Sequence, residues 1–344
     1  MVSIIIPHWR GKEILLRGLR SLREHTSLPH EIIVVDNGCD DGSVAAAQQS
    51  CAGIRVVAAG RNLGFAGGCN LGMRAAAGEF LVLFNNDAVA APHWLEPLVA
   101  AMEGDPDVAA CQPKILSIDR PDSFDYAGAC GGYLDFLGYP FCRGRVFDTI
   151  EKDERQYDDL REIFWASGAC CLLRASALEE TGGLDDSFFA HMEEIDLNWR
   201  MHLAGYRIIA VPAACVYHHA GSTLQAAAPR KTYLNHRNSL ILLVKNRALA
   251  PLLIIFPIRV VLDFVEALRQ LICLRGKHAA MILRAIFEVA FKMPQLLDQR
   301  EQVQRVRKIS DRAMRTRFYH RSIVWDYFIR GRKKFSDLPG TIKK

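Results

Sequence analysis

Three carboxylates crowd into four residues at Glu193-Glu194-Ile195-Asp196, the start of a stretch that continues Leu197-Asn198-Trp199-Arg200. Acidic side chains at a helix start are favoured by the helix dipole. Beside a groove they also supply a general base able to take a proton from a hydroxyl. Upstream, Phe84-Asn85-Asn86-Asp87 closes an apolar run. A carboxylate at the tip of a buried strand can hold a divalent cation that bridges a diphosphate and, as a Lewis acid, stabilises charge on a departing group. Further on, Val216-Tyr217-His218-His219-Ala220-Gly221-Ser222 places two imidazoles after a strand, and one of them can join Asp87 as a ligand. Each feature alone also has a structural reading: dipole complementarity, an exposed turn, a structural histidine.

Two more segments have the composition of a nucleotide cradle. Asp36-Asn37-Gly38, followed by Asp40-Asp41-Gly42-Ser43, offers a carboxylate to a base or ribose, or simply a tight turn with Ser43 as a helix cap. Arg61-Asn62-Leu63-Gly64-Phe65-Ala66-Gly67-Gly68-Cys69-Asn70 has glycines ahead of a helix, where phosphate oxygens can approach backbone N–H groups. It lacks the Gly-Lys-Ser/Thr ending of a P-loop and follows a third strand rather than a first, so it is not a dinucleotide fingerprint.

Positioning such residues requires strands that end together. Short β-rich runs at Ser3–Pro7, Glu31–Asp36, Ile54–Ala58 and Glu79–Asn85 alternate with helical patterns at Lys12–Glu24, from Ser43, at Ala66–Ala77 and at Pro92–Met102. This alternation predicts a mainly parallel sheet covered on both faces, with the ligand crevice at the carboxyl ends of its strands. Residues 113–162 read as an irregular insertion or substrate loop. Regular structure returns at Ile163–Arg174, in helices from Ser176 and over Glu193–Ala204, and in a strand at Arg207–Val211.

The charge of the 344-residue chain divides sharply. Residues 1–229 carry 18 Lys/Arg against 30 Asp/Glu, and residues 230–344 carry 25 against 8. The basic part has no nucleic-acid-binding signature and sets its charges among apolar runs, a pattern suited to an anionic membrane surface; a solvated helical face is the alternative. Pro251–Cys273 is strongly apolar but holds Arg259, Asp263, Glu266 and Arg269. A spanning helix needs about 20 mostly uncharged residues, so this segment reads as an amphipathic helix lying in the interface or packed on a second subunit. Ten cysteines at irregular spacings, with no Cys-x-x-Cys, do not suggest a disulfide framework. The amino terminus reads as a first strand, not a signal peptide, and a reducing cytoplasm is the expected compartment.

In order along the chain, these motifs resemble the family 2 glycosyltransferases with the GT-A fold, most closely their bacterial rhamnosyltransferase-like branch. Ser3-Ile4-Ile5-Ile6-Pro7-His8-Trp9, Val34-Val35-Asp36-Asn37-Gly38 through Ser43, and Asn62–Gly68 carry the likeness. So do Asn85-Asn86-Asp87, the Glu193-Glu194-Ile195-Asp196 helix start and His218.

The resemblance implies an α/β GT-A domain, Rossmann-like, over residues 1–240, with a nucleotide-binding half to about 112 and an acceptor half to 240. A basic, amphipathic helical extension would follow over 241–344, membrane-associating or oligomerising. Pro7, Trp9, Asp36, Asn37, Asn62, Gly64, Gly67, Asn70 and Asn86 would surround the nucleotide. Asp87 would bind Mg2+ or Mn2+, with His218 as second ligand and His219 as its rival. Glu194 would be the catalytic base, with Glu193 and Asp196 positioning acceptor hydroxyls or supporting the helix. Trp165, Ser167, Gly168 and Ala169 would line the sugar pocket.

The implied reaction is inverting transfer from a nucleotide-sugar donor, dTDP-rhamnose or a UDP-hexose, to a glycan or polyprenyl-diphosphate-linked acceptor at the inner face of a bacterial membrane. The chain departs from the family in having Asn-Asn-Asp at the metal motif, Glu at the base position and Arg10 where many relatives have Asn. The alternatives are a nucleotidyltransferase and an inactive sugar-binding relative that scaffolds a membrane complex.

Overall fold

The structure, a computed structural model, describes residues 1–219 and 228–339. Its first strands, β1 (Val2–His8) and β2 (His30–Asp36), are rich in Ile and Val, whose branched side chains suit a pleated surface. Between and after them come α1 (Lys12–His25), α2 (Ser43–Ser50), β3 (Ile54–Ala58), α3 (Gly64–Ala75), β4 (Phe80–Phe84), β5 (Ala88–Ala90), α4 (Glu96–Glu103) and β6 (Val108–Ser117). Four short strands follow, β7 (Gly132–Leu134), β8 (Pro140–Cys142), β9 (Arg145–Val146) and β10 (Thr149–Ile150). The chain then forms β11 (Arg161–Glu162), β12 (Cys170–Arg174), α5 (Ala175–Thr181), α6 (Glu193–Leu203) and β13 (Arg207–His218).

The main sheet has the order β11-β13-β6-β12-β4-β1-β2-β3, with β5 attached to β13. It is parallel from β4 through β1 and β2 to β3, and mixed beyond, because β12 runs antiparallel to both β4 and β6. The start of β12 therefore lies beside the end of β4. His8 pairs with Asp36, and Cys170 with Phe84, so His8, Asp36, the Asn85–Asp87 turn and Ser167–Ala169 gather along one edge.

Three local expectations differ from the structure. The helix expected from Pro92 begins at Glu96, after His93 adopts a left-handed conformation (φ 58°) that a helix cannot continue through. The segment from 113 is not irregular throughout: β6 runs to Ser117, and β7–β10 form a separate antiparallel sheet packed through Tyr133 and Phe141. The strand expected to stop at Val211 continues to His218, because a bulge between Val211 and Cys215 absorbs Pro212.

The helices α7 (Pro229–Asn246), α8 (Leu249–Ile272), α9 (Gly276–Phe291) and α10 (Met293–Arg305) form a layer against the sheet domain. α7 runs without a break across residues 240 and 241, where the sequence suggested a boundary. The chain then returns through α11 (Asp311–Arg315) and α12 (Ile323–Phe328) to the small sheet. There Tyr319 N–H donates to Leu134 O (2.8 Å), and Phe335 packs on Tyr133. α8 is inverted relative to an ordinary amphipathic helix. Arg259 and Asp263 face inward, bonded to Leu137 O (2.8 Å) and His236 Nδ1 (2.9 Å) respectively. Leu253, Ile254, Val261, Val265 and Leu268 face outward, each more than half exposed. Among the described residues no helix is long and apolar enough to cross a membrane.

Helix α3 lies against β1 at close quarters because Gly72 has no side chain: a Cβ there would stand 2.3 Å from Ile5 Cγ2. Gly72→Ala should therefore cost about 1–3 kcal/mol by overpacking, measured as a lower urea midpoint. An unchanged midpoint would mean that α3 and β1 part without penalty.

Candidate active site at the carboxyl edge of the sheet

At the end of β13, His218 sits between two carboxylates. Its Nε2 is 2.9 Å from Asp87 Oδ1, and its Nδ1 is 2.9 Å from Asp125 Oδ1. All three side chains are buried. Burial alone would depress this imidazole, but its bonds to Asp125 and Asp87 outweigh that and hold it at about 10. Asp125 fixes the ring so that Nε2 faces Asp87, the arrangement by which an outer carboxylate orients a metal-binding histidine. Asp87 and His218 thus face one point, where a cation would replace the shared proton. His219 turns elsewhere, to Asp119 Oδ2 at 3.0 Å, which leaves His218 as the imidazole beside Asp87. Ala220-Gly221-Ser222 lie outside the described residues. No group of three or more His, Cys, Asp or Glu able to hold a metal occurs among the described residues. A cation held by Asp87 and His218 would need its remaining ligands from elsewhere, as Mg2+ commonly takes them from substrate phosphates.

Next along the edge, His8 is buried, 2.7 Å from Ser43 Oγ through Nε2, and accepts at Nδ1 from Asn86 Nδ2 (2.9 Å). Burial drives it down to about 4, against the charges of Asp41 and Asp36, so it is a neutral strut joining β1, α2 and the Asn85–Asp87 turn. Asp36 is half-buried and accepts from Cys39 N–H (2.8 Å). Trp9 is half-buried under the Arg10 guanidinium, 4.5 Å from its ring centre. Pro7 is buried against the helix, its Cβ 3.1 Å from where a Cβ on Gly68 would be.

The glycine-rich turn is held from within. Asn37 Oδ1 accepts from Leu63 N–H (2.9 Å) while its Nδ2 donates to Gly64 O (2.9 Å), and Asn62 Oδ1 accepts from Gly64 N–H (2.8 Å). Gly64 adopts φ 75°, and a Cβ there would meet Phe189 O at 2.4 Å; at Gly67 it would meet Leu63 Cβ at 2.8 Å. Several residues expected at the nucleotide therefore shape the cradle from behind. Asn37, Asn62 and Asn86 spend their side chains on this scaffold. Asn70, buried in α3, is bonded to Leu184 O, Leu184 N–H and Asp186, which pins the loop ahead of α6.

That loop is strained. Phe189, His191 and Met192 all have φ between 65° and 74°, a left-handed conformation that costs non-glycine residues of order 1–3 kcal/mol each. It is held by α7: Asn238 Nδ2 donates to the carbonyls of Phe188, Ala190 and His191, and Arg237 Nη2 to those of Ser187 and Phe188. α6 then starts at Glu193. Among the described residues Glu193 Oε2 and Glu194 Oε2 are buried atoms without a hydrogen-bond partner. Burial pushes Glu194 up to about 7, against backbone N–H groups that pull it down. Burial and the charge of Glu194 hold Glu193 well above the usual carboxylate range. A carboxyl poised near neutrality is what proton abstraction requires.

Asp196 takes the supporting one of its two expected roles, and the expectation for Trp165 needs correction. Asp196 is fully buried and its oxygens are taken by Arg200 Nε (2.9 Å), Lys245 Nζ and Asn246 Nδ2 (2.8 Å), so it fastens α6 to α7 and does not face an acceptor. Trp165 is turned into the core, its Nε1 donating to Tyr133 O (3.1 Å) and its ring lying against Gly132. Ser167, Gly168 and Ala169 do reach the edge. Asn85 N–H donates to Ala169 O (3.0 Å), Gly168 abuts the Phe65 ring, and Ser167 Oγ donates to Ala127 O (2.9 Å). The sequence reading missed Asp125, a lone acid in a loop with no local signal. It also missed Arg237 and Asn238, whose polarity just ahead of the apolar run 240–244 was the available hint.

The sequence model of the family described as glycosyl transferase family 2 matches residues 3–182. Over 252 residues the chain is 32% identical to an N-acetylglucosaminyl-diphospho-decaprenol L-rhamnosyltransferase of Mycobacterium tuberculosis, covering 68% of this chain and 81% of that protein. It is 28% identical over 234 residues to the galactofuranosyltransferase GlfT1 of the same organism, covering 64% of this chain and 70% of the other. Among solved structures, the fold is similar to GalNAc-T7 with UDP, GalNAc and Mn2+ (TM-score 0.55, 15% identity, covering 71% of this chain and 47% of that one). It is also similar to S. aureus TarS 1–349 in complex with UDP (TM-score 0.52, 14% identity, 93% of each chain). The fold is GT-A, with a helical carboxyl-terminal region.

The raised Glu194 carboxyl has a signature in stability. Its ordinary value is 4.5 and its folded value about 7, so the stability tied to its neutral form is complete below 4.5 and is lost as pH rises through 7. Glu194→Gln carries no such loss. Its urea midpoint, relative to the unaltered protein, should increase between about pH 5 and about pH 8. A difference that stays flat would contradict a carboxyl held neutral by burial.

Proposed function

This chain belongs to glycosyl transferase family 2, and from that premise we propose that it transfers a sugar, with inversion, from a nucleoside-diphosphate sugar to a glycan hydroxyl. The observation that most supports this reading is Asp87 and His218 facing one point, with Asp125 behind the imidazole. Trp9 and Asp36 are the side chains open to the base and ribose, and the Asn37-organised turn brings backbone N–H groups near the phosphates. A divalent cation, Mg2+ or Mn2+, held by Asp87 and His218 supplies charge stabilisation for the departing diphosphate. Glu194 accepts the acceptor hydroxyl's proton as its oxygen attacks the anomeric carbon from the face opposite the diphosphate. The new C–O bond forms as the old one breaks, and the nucleoside diphosphate leaves. Burial and the charge of Glu194 hold the Glu193 carboxyl well above the usual carboxylate range, which limits the charge at the helix start.

Similarity to a rhamnosyltransferase acting on a decaprenyl-diphosphate-linked sugar supports dTDP-rhamnose as donor and a polyprenyl-diphosphate-linked glycan as acceptor. Structural likeness to UDP complexes keeps UDP-hexoses as the second choice. The outward apolar face of α8, within a region of 25 Lys/Arg against 8 Asp/Glu, suits an anionic membrane surface. We therefore assign the protein to the periphery of the bacterial inner membrane, where such an acceptor resides; pairing of two copies through the same face is the competing arrangement.

A ligand that binds only the folded state raises the melting temperature by mass action. Titrating the protein with dTDP and UDP, with and without Mn2+, should give a metal-dependent rise with one of them that disappears in Asp87→Ala. A rise indifferent to both metal and Asp87, or no rise at all, would overturn the reading.

A further inference from the structure

Between the sheet domain and the helical layer lies a half-open cleft of about 660 Å³, on the far side of α6 from Glu194 in the sense that Trp199 of α6 forms part of its wall. From Glu194 to Trp199 is about 7.5 Å along the helix. Three polar atoms on this wall are buried and have no hydrogen-bond partner among the described residues: Arg247 Nη1, Trp199 Nε1 and Asn246 Oδ1. The residues that carry them are at most 7% exposed. Two are donors and one is an acceptor, and nearly all buried polar groups in folded proteins find partners.

Arg247 is the decisive one. Its guanidinium lies 4.1 Å from the centre of the Phe318 ring, and among the described residues no carboxylate forms an ion pair with it. Burial pushes it down to about 10, with Arg315 adding to the effect while Asp135 and Asp311 oppose it. Arg307 and Arg315 stand on the same wall; Arg307 is already paired with Asp311 (2.7 Å), whereas Arg315 is exposed and forms no ion pair among the described residues. The opening turn of α8, at Ala248 and Pro251, completes the wall, and its Ala248 cap makes no side-chain hydrogen bond. A helix start adds positive potential. A buried cation with no bonded counter-charge is costly; Arg247, the exposed Arg315 and the start of α8 are complementary to an anion, while Asp311, which also lines the cleft, is occupied by Arg307.

We propose that this cleft binds a phosphate group, presented by the headgroup of an anionic membrane phospholipid. The anion site rests on the cleft alone, while the lipid as its source rests on the membrane docking argued above. The geometry joins the two. The outward apolar residues of α8 begin at Leu249 and continue through Leu253 and Ile254, interleaved with and following Ala248 and Pro251, which line the cleft. A headgroup in the cleft would therefore leave its acyl chains along the exposed face of α8. Arg247 and the exposed Arg315 take the phosphate oxygens. Asn246, the residue before Arg247, donates to Asp196 Oδ1 (2.8 Å), so an occupied cleft braces the helix that carries Glu194.

The test uses the full chain and two variants of the cleft, Arg247→Gln and the exposed Arg315→Gln, whose fold cannot depend on a buried contact. Inorganic phosphate is titrated in EDTA, which removes divalent cations from the donor site, and melting is followed. Binding to phosphatidylcholine vesicles with and without phosphatidylglycerol is measured in parallel. Phosphate should raise the melting temperature of the unaltered protein, not that of Arg247→Gln. Affinity for phosphatidylglycerol vesicles should fall tenfold or more in Arg247→Gln and less in Arg315→Gln. Val261→Glu with Val265→Glu should release the protein from vesicles yet keep the phosphate response.

If phosphate protects Arg247→Gln as well as the unaltered protein, the cleft is not an anion site and the proposal fails. If only the phosphate response is lost while vesicle affinity is unchanged, a free phosphate is the ligand and the lipid source is overturned. Absence of vesicle binding by the unaltered protein would sink the membrane reading as well as the lipid source, and the phosphate titration would still decide the anion site.

Discussion

His218 reaches Asp87 only because β13 carries a bulge. Between Val211 and Cys215 the strand gains three residues on its partner β6, and side chains alternate faces along a strand. An odd insertion therefore turns His218 to the face that Tyr217 would otherwise occupy. Beyond the bulge, β13 pairs with β5, placing His218 opposite Ala88, next to Asp87. Asp125 closes the arrangement from the loop after β6. Removing the imidazole would leave two buried carboxylates facing each other, so the cluster ties three segments of chain together whether or not a cation is present.

The acidic helix depends on a different support. Its strained entry at Phe189–Met192 is held by Asn238 and Arg237, and its first turns are fastened through Asp196 to Lys245 and Asn246. All four of these supporting residues belong to α7. The helical region is thus part of the apparatus that presents Glu194. Any contact that shifts α7 and α8, at a membrane or in the cleft beside Arg247, acts on the helix that bears Glu194, the proposed base.

Much of this was legible in the sequence because it follows from local patterns. The β-branched runs of β1 and β2, the glycines that start α3 and the carboxylate that follows β4 are each written within a few residues. Their meeting along one edge follows from a parallel sheet. What escaped the sequence is what long-range packing decides. Pro212 reads as the end of a strand, and only the bulge shows that it is not. Asp125 has no neighbouring signal and gains its place from a contact 93 residues away. Asp196 looks like a third catalytic carboxylate beside Glu193 and Glu194, but its place in the helix turns it toward Lys245. The charges in α8 read as interruptions of an apolar face; the fold turns Arg259 and Asp263 inward, and Glu266 and Arg269, paired with each other, stay at the surface.

The central claim is that one divalent cation is held jointly by Asp87 and His218 against the donor diphosphate. Pulsed electron paramagnetic resonance of Mn2+ bound to the protein with a nucleoside diphosphate tests it directly, because a coordinated imidazole nitrogen modulates the electron spin echo. The account predicts modulation from a single 14N ligand that is abolished in His218→Gln. Mn2+ bound beside the nucleotide with no nitrogen coupling in the unaltered protein would contradict it.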